Sequence, residues 1–313
     1  PEPGPRIVYS ADGRKIATGS EDGKVRLFDA HTGKPLLEPI EIADAPVRSL
    51  KFDPTGDWLT AVAASVYKTL EISAAEPQVV MQGFVNRNGW ASLSPDRRYI
   101  AVSDNGKLQI QTVPDGRPIM TATKSIPKIM EAWSPDSLRY LICGTWGNIH
   151  RFDTESKKKK TIALPFFRSG TPALLFNQAG DKFITVDHAN AAVIWNTQTL
   201  KKTLQLRHPN HVSAAAYNAE KKLAATGDDN GVIQFWQGDE FELQANVIRT
   251  GEKISKLHIS NDADRILAIT RDARGSRALV YNVLMASRSV EFPLWSELVA
   301  CDPNFRTAAA TTD

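Results

Sequence analysis

Very little in this sequence points to chemistry. Its two cysteines, Cys143 and Cys301, form no CxxC or Cys/His spacing, so neither a disulfide framework nor a zinc site is implied, and a reducing compartment is the simplest reading. Neither charge dominates: 38 Lys and Arg are interleaved with 35 Asp and Glu for a net +3, which is not the one-sided basic face expected of a nucleic-acid binder. No stretch approaches the ~18 apolar residues of a membrane span, and no signal peptide is visible. There is no GxSxG elbow and no HExxH. Gly251-Glu-Lys-Ile lacks the glycine spacing of a phosphate-binding loop. The six histidines (His31, His150, His188, His208, His211 and His258) are scattered over different segments, so no metal or cofactor is expected.

What is present is repetition. An apolar strand, a Ser/Asp/Asn-led turn and a second apolar strand recur eight times, the first copy being Arg6-Ile-Val-Tyr-Ser-Ala-Asp-Gly followed by Lys15-Ile-Ala-Thr-Gly-Ser. The leading turn residues are Ser10, Asp53, Ser94, Ser134, Asn177, Asn218, Ser260 and Asp302, at intervals of 43, 41, 40, 43, 41, 42 and 42. A fixed period of about 40–45 residues is that of a four-stranded propeller blade. An apolar fraction of 42% is enough for a core, and unbroken repetition argues for one domain rather than two. In the second unit the expected strands are 47–52, 57–62, 68–72 and 77–81. Asp/Asn-Gly pairs such as Asp22-Gly23, Asn105-Gly106 and Asn230-Gly231 supply the positive φ of tight hairpins.

The turns Ser10-Ala-Asp-Gly13, Ser94-Pro-Asp96 and Ser134-Pro-Asp136 carry a resemblance to the WD-repeat family. So do the aromatic–polar pairs Phe28-Asp29, Phe152-Asp153, Trp195-Asn196, Trp236-Gln237 and Tyr281-Asn282. The literal Trp-Asp pair and the family's Gly-His pair are missing, with His211 the histidine nearest that place. The resemblance implies an all-β fold, a β-propeller of four-stranded antiparallel blades, with seven blades favoured over eight. It also implies that Asp22, Asp104 and Asp228 brace their blades from the hairpin turn. Residues 1–5, rich in proline, read as linker and 6–313 as a single propeller domain, with seven full units over 6–295 and a partial unit over 296–313. The surplus pair either replaces the first pair of unit one or begins a further blade. A start at Pro1 and a stop inside a repeat suggest a piece of a longer polypeptide.

Propellers present sites on their loops. Trp146 occupies the turn Thr145-Trp-Gly-Asn148, where other units carry small or polar residues, and Tyr67 fills the corresponding turn of the second unit. Aromatic anchors of this kind are enriched at interfaces, and Arg249, Arg271 and Arg274, with Arg87 and Arg168, fall on the same expected face. These are the candidate partner-binding residues. Glu131 stands where six other units place Leu50, Ala91, Leu174, Ala215, Leu257 and Val299, so it is expected either to be paired locally or to face the central channel. The run Lys157–Lys160 reads as a solvated loop on the opposite face.

The function expected is a non-catalytic protein-interaction or scaffolding module for protein or peptide partners. It would be a cytoplasmic, signalling-type sensor or recruitment part, resembling bacterial multi-domain members of the family, with other domains of the same polypeptide as further partners. Two alternatives come from other classes: a propeller enzyme with an axial site, and a binder of nucleic acid or phosphoinositide through the Arg-bearing loops. The period predicts an almost helix-free chain. Far-ultraviolet circular dichroism should show less than about a fifth helix, where ordinary globular chains average about a third.

Overall fold

The structure, a computed structural model, describes residues 7–74, 76–86, 89–104, 107–122, 128–144, 148–163, 173–186, 190–218, 220–272, 275–294, 299–301, 303, 305 and 308–310. They form seven four-stranded antiparallel sheets, the blades of a β-propeller, in strict chain order over 7–41, 47–84, 90–121, 128–163, 174–207, 212–249 and 253–294. Within each blade, first to fourth strands are neighbours in sequence and in the sheet. No described residue is helical.

The repeat anchor shows why each blade starts as it does. Ser10, Asp53, Ser94, Ser134, Asn177 and Ser260 are all buried. Each accepts, on a side-chain oxygen, the backbone N–H five residues on, from Lys15, Trp58, Tyr99, Arg139, Lys182 and Arg265 respectively, at 2.8–3.0 Å. Their own N–H groups donate to the carbonyls of those same residues, closing the turn from both sides. The serine hydroxyls then donate to Asp12, Asp96, Asp136 and Asp262 two residues on. The residue three after the anchor must be left-handed. Gly13, Gly56 and Gly180 hold φ between 70° and 74°, while Arg97, Ser137 and Ala263 take 60–65°, a conformation that costs a side chain about 1–2 kcal/mol. Arg97 offsets that cost by donating to Asp53 at 2.9 Å and lying over the Trp58 ring at 5.2 Å, tying blade three to blade two.

Clustering of contacts divides the chain into two units. Unit one (1–127, 154–157 and 298–313) contains blades one to three. Its apolar clusters lie between consecutive blades: Ala17, Val25, Leu27, Val47, Leu50 and Leu59 join blades one and two, and Val62, Tyr67, Met81, Ile100 and Val102 join two and three. Unit two (128–153 and 158–297) holds blades four to seven on the same plan. Leu141, Ile149, Leu174 and Phe183 join four and five, Ile184, Leu206, Val212 and Trp236 five and six, and Phe235, Ile248, Ile254 and Ile266 six and seven. The core is therefore distributed over the seams between blades, the arrangement of a repeat protein.

Blade six carries a buried relay. Trp236 Nε1 donates to Thr226 Oγ1 at 2.8 Å, His208 Nε2 lies 2.5 Å from the same hydroxyl, and His208 Nδ1 faces Asp228 at 3.6 Å, all four side chains being buried. The relay histidine is His208. His211 instead sits at Asp229 on the turn, 3.3 Å away, which corrects the reading that made it the histidine nearest this place. Of the three expected braces Asp228 is buried, accepting the N–H groups of Asn230 and Val232, whereas Asp22 and Asp104 are exposed. Blade seven replaces the relay with Glu252, which accepts from Thr270 at 2.7 Å and pairs with Arg277.

Two further expectations meet the structure here. Lys158–Ala163 is the fourth strand of blade four and not a loop; Lys160 donates to the Thr199 carbonyl and Lys159 lies 5.6 Å from the Phe152 ring centroid. Glu131 is paired locally: the phenol of fully buried Tyr140 is driven well above its ordinary pKa by burial first, and then by the charge of Glu131 and a hydrogen bond to it. The surplus strands Val299–Cys301 and Ala308–Ala310 form a two-stranded sheet of their own, the first of them lying against the first strand of blade one. Blade one has its own first pair, so the surplus does not replace it.

Burial lowers the pKa of His208, and burial with the nearby Lys159 lowers that of His150 from 6.5 to about 4. Both bind protons less readily folded than unfolded, so the contribution of His150 is fully present above 6.5 and is lost as pH falls from there toward about 4, and that of His208 is lost in the same direction. Urea unfolding should give lower stability at about pH 5 than at about pH 7, and His150→Gln should flatten that dependence. Equal stabilities at both pH values would contradict the assignment.

Candidate functional site

Blade two departs from its siblings at one cross-strand pair. In blades one, four, five and six the third strand places Val25, Ile149, Ala192 and Ile233 opposite Ile40, Ile162, Leu206 and Ile248 on the fourth. Blade two pairs Tyr67 with Gly83. The bulk has moved from the fourth strand to the third. A Cβ on Gly83 would stand 2.7 Å from the Tyr67 ring, so the glycine is required by the tyrosine above it. Tyr67 is only 2% exposed, and burial pushes its hydroxyl pKa up to about 12.

Removing the fourth-strand side chain opens a cleft. A cavity of about 310 Å³ lies between this strand (Gln78–Phe84) and the third strand of blade three (Lys107–Thr112). Tyr67 and Met81 line it, Gln82, Phe84, Asp104 and Lys107 stand around it, and Gln109 and Gln111 reach in from blade three. The Tyr67 hydroxyl points at Gln111 Oε1, 3.5 Å away, and the Gln111 amide donates to Gln109 at 2.9 Å. Asp104 accepts the Asn86 N–H at 2.9 Å.

The outer wall of this cleft is a sheet edge. Strand 78–84 pairs on one side only, so alternate N–H and C=O groups face outward, and it carries two exposed apolar side chains, Val79 at 50% and Phe84 at 82%. Amide donors and acceptors, an exposed aromatic and a free edge suit an extended peptide. They offer no nucleophile–base pair. Among the described residues no three His, Cys, Asp or Glu side chains gather as metal ligands, and no helix is long and apolar enough to cross a membrane.

The residues singled out from sequence fare unequally. Tyr67 belongs to strand Val66–Glu71 rather than to a turn, the turn being Ala64-Ser65, and it lies buried at the base of the cleft. Arg249 is exposed at the end of blade six's fourth strand; Arg271 pairs in the backbone with Lys253 and Ser276, so both arginines fall at the same end of neighbouring blades in unit two. Trp146, Arg274, Arg87 and Arg168 lie outside the described residues. Phe84, Gln82, Lys107, Gln109 and Gln111 were not anticipated, although the glycine at 83 was a visible signal once the blades are aligned.

Comparison with known proteins agrees with this architecture. The family "WD domain, G-beta repeat" matches residues 6–29. "WD repeat and SOCS box-containing protein 1" of Danio rerio is 32% identical over 33% of this chain and 25% of its own length. "Protein HIR1" of Yarrowia lipolytica is 23% identical over 74% of this chain and 18% of its own length. The chain thus spans a quarter or less of these curated relatives. The crystal structure of Saccharomyces cerevisiae Sqt1 superposes with a TM-score of 0.69 over 93% of this chain and 85% of that one, at 13% identity, a likeness of fold. Together these findings support a WD-repeat protein.

The swap at 67 and 83 predicts compensation. Gly83→Leu alone should destabilise the protein by about 1–3 kcal/mol through overpacking against Tyr67, and Tyr67→Val alone should destabilise it through a cavity. The double variant restores the pairing of the sibling blades and should recover most of the loss in a thermal melt. Additive losses would show that the two residues do not share this space.

Proposed function

We propose that this chain is a non-catalytic propeller module that recruits a protein partner, and that the partner lies as an added strand along residues 78–84 of blade two with a side chain in the adjoining cleft. One observation carries the reading: an edge strand exposing Val79 and Phe84 borders a cavity walled by amide and hydroxyl groups. Main-chain pairing along an edge supplies affinity and the neighbouring pocket supplies selection. Trp146 with Arg249, Arg271 and Arg274 belongs to the proposal as a second partner surface, supported by the two arginine positions that share one end of blades six and seven.

The wider setting is part of the same proposal: a scaffold or recruitment part of a longer, cytoplasmic, signalling-type polypeptide. The small share of each relative's length that this chain spans favours a module within a larger protein. The two relatives, from fish and yeast, are eukaryotic and lend no support to a bacterial origin.

A random peptide library displayed on phage tests the surface. Selected peptides should bind the wild-type chain, lose about tenfold or more on Phe84→Ser, and leave the melting temperature unchanged. Peptides that depend instead on Trp146 would shift the site to the second surface. Selection yielding no peptide sensitive to either residue would remove the proposal.

A further inference from the structure

The first strands of blades four to seven border a second, open cavity, of about 360 Å³, lined by residues of unit two. Among the residues that line it are Met130 of blade four, Ala173 and Leu175 of blade five, Ala214 and Ala216 of blade six and Lys256 and His258 of blade seven, which lie two or four residues before their anchors, on the face that alternate residues of a strand share. In blades four, five and six those positions are apolar. Met130, Leu175, Ala214 and Ala216 build an apolar wall, the two alanines leaving room. Blade seven breaks the pattern with Lys256 and His258. One wall of the cavity is thus polar and cationic, and the others are hydrocarbon.

Among the described residues no carboxylate lines the cavity. Glu131, on the same strand as Met130, is engaged with the Tyr140 phenol, and Ser255 spends its hydroxyl on the Ile269 carbonyl at 2.9 Å. Lys256 makes no ion pair with any described residue; the His258 pKa is lowered, by desolvation first and then by the Lys256 ammonium, while both side chains keep solvent contact in the open cavity. The imidazole is therefore a neutral hydrogen-bonding group beside a single positive charge. Both side chains are exposed, so an anion reaches that charge from water while its apolar part meets the hydrocarbon side chains.

We propose that this cavity binds a small apolar monocarboxylate, of the medium-chain fatty-acid or arylalkanoate class. The carboxylate would sit on Lys256 and accept from His258, and its hydrocarbon would lie along Met130, Leu175, Ala214 and Ala216. One lysine and one neutral histidine are too few donors for a phosphate dianion, and the hydrocarbon walls give a sugar or nucleotide nothing to bond. The volume lies within the roughly 300–1,000 Å³ of small-ligand sites, which are mostly apolar with a few placed polar groups. The site is separate from the blade-two cleft and does not depend on the partner reading.

Titration calorimetry of the intact chain with sodium octanoate, below its micellar concentration, provides the test. One equivalent should bind, at least about tenfold more tightly than octanol, and octylamine should not bind. Lys256→Met should cost about tenfold or more for octanoate and little for octanol. Ala216→Phe, which fills the cavity, should abolish binding of both, with a thermal melt confirming that each variant is folded. The proposal fails if octanoate shows no saturable binding below about 10 mM, if octylamine or octanol matches it, or if several equivalents bind. Undiminished affinity in folded Lys256→Met would also sink it. Should that variant not fold, the ranking of the three probes on the wild-type chain still decides.

Discussion

Each blade depends on a buried oxygen at the head of its first hairpin. A serine, aspartate or asparagine is held out of water and would cost about 1–3 kcal/mol if left unsatisfied. In six blades it takes the N–H of the residue that begins the next strand, as Ser10 does with Lys15 and Ser94 with Tyr99, and in blade six Asn218 takes that of Lys221. This fixes the register between first and second strands, and with it the face on which every apolar side chain emerges. The seams between blades follow. Leu50 and Leu59 meet Val25 and Leu27 because both hairpins were set in the same phase. The same residues later carry ties between blades: Asp53 receives Arg97 from blade three, and Asn218 donates to the carbonyls of Ser260 and Asn261 in blade seven.

Against so regular a frame, the departures are the informative places. Exchange of bulk between Tyr67 and Gly83 keeps the volume of the blade-two seam but shifts it inward, leaving an edge strand with a hollow beside it. Lys256 and His258 set polar groups on a wall that three sibling blades keep apolar. Glu252 and Arg277 take over in blade seven the place that His208, Thr226 and Trp236 occupy in blade six. In the first two cases a packing or solvation preference of the repeat is given up, and in both a cavity lies beside the departure. Function resides in such departures because the fold by itself specifies only a platform.

Much of the architecture was legible from the period alone. The anchors are the turn caps, the strands of the second unit fall within two or three residues of their expected limits, and Asp228 is the buried brace. The site was less legible. Tyr67 attracted attention as a turn aromatic, yet its meaning lies in what it faces, forty-four residues away at Gln111 and across the sheet at Gly83. A lysine run looked like a loop because four charges hide the alternation of a strand that is exposed almost throughout. His208 was passed over because its partner Thr226 lies in a different strand eighteen residues on.

The sequence by itself determined the repeat, its phase and the four-stranded blade, because turn chemistry and strand alternation act over a few residues and recur in every unit. Tertiary structure alone decided which side chains meet across seams: Tyr67 with the blade-three glutamines, His208 with Thr226 and Asp228, and Lys256 with the hydrocarbon of three other blades. Those meetings join residues from different strands and blades, often some forty positions apart. Volume, desolvation and charge at such places are properties of the packed seam, and no window of the chain contains them.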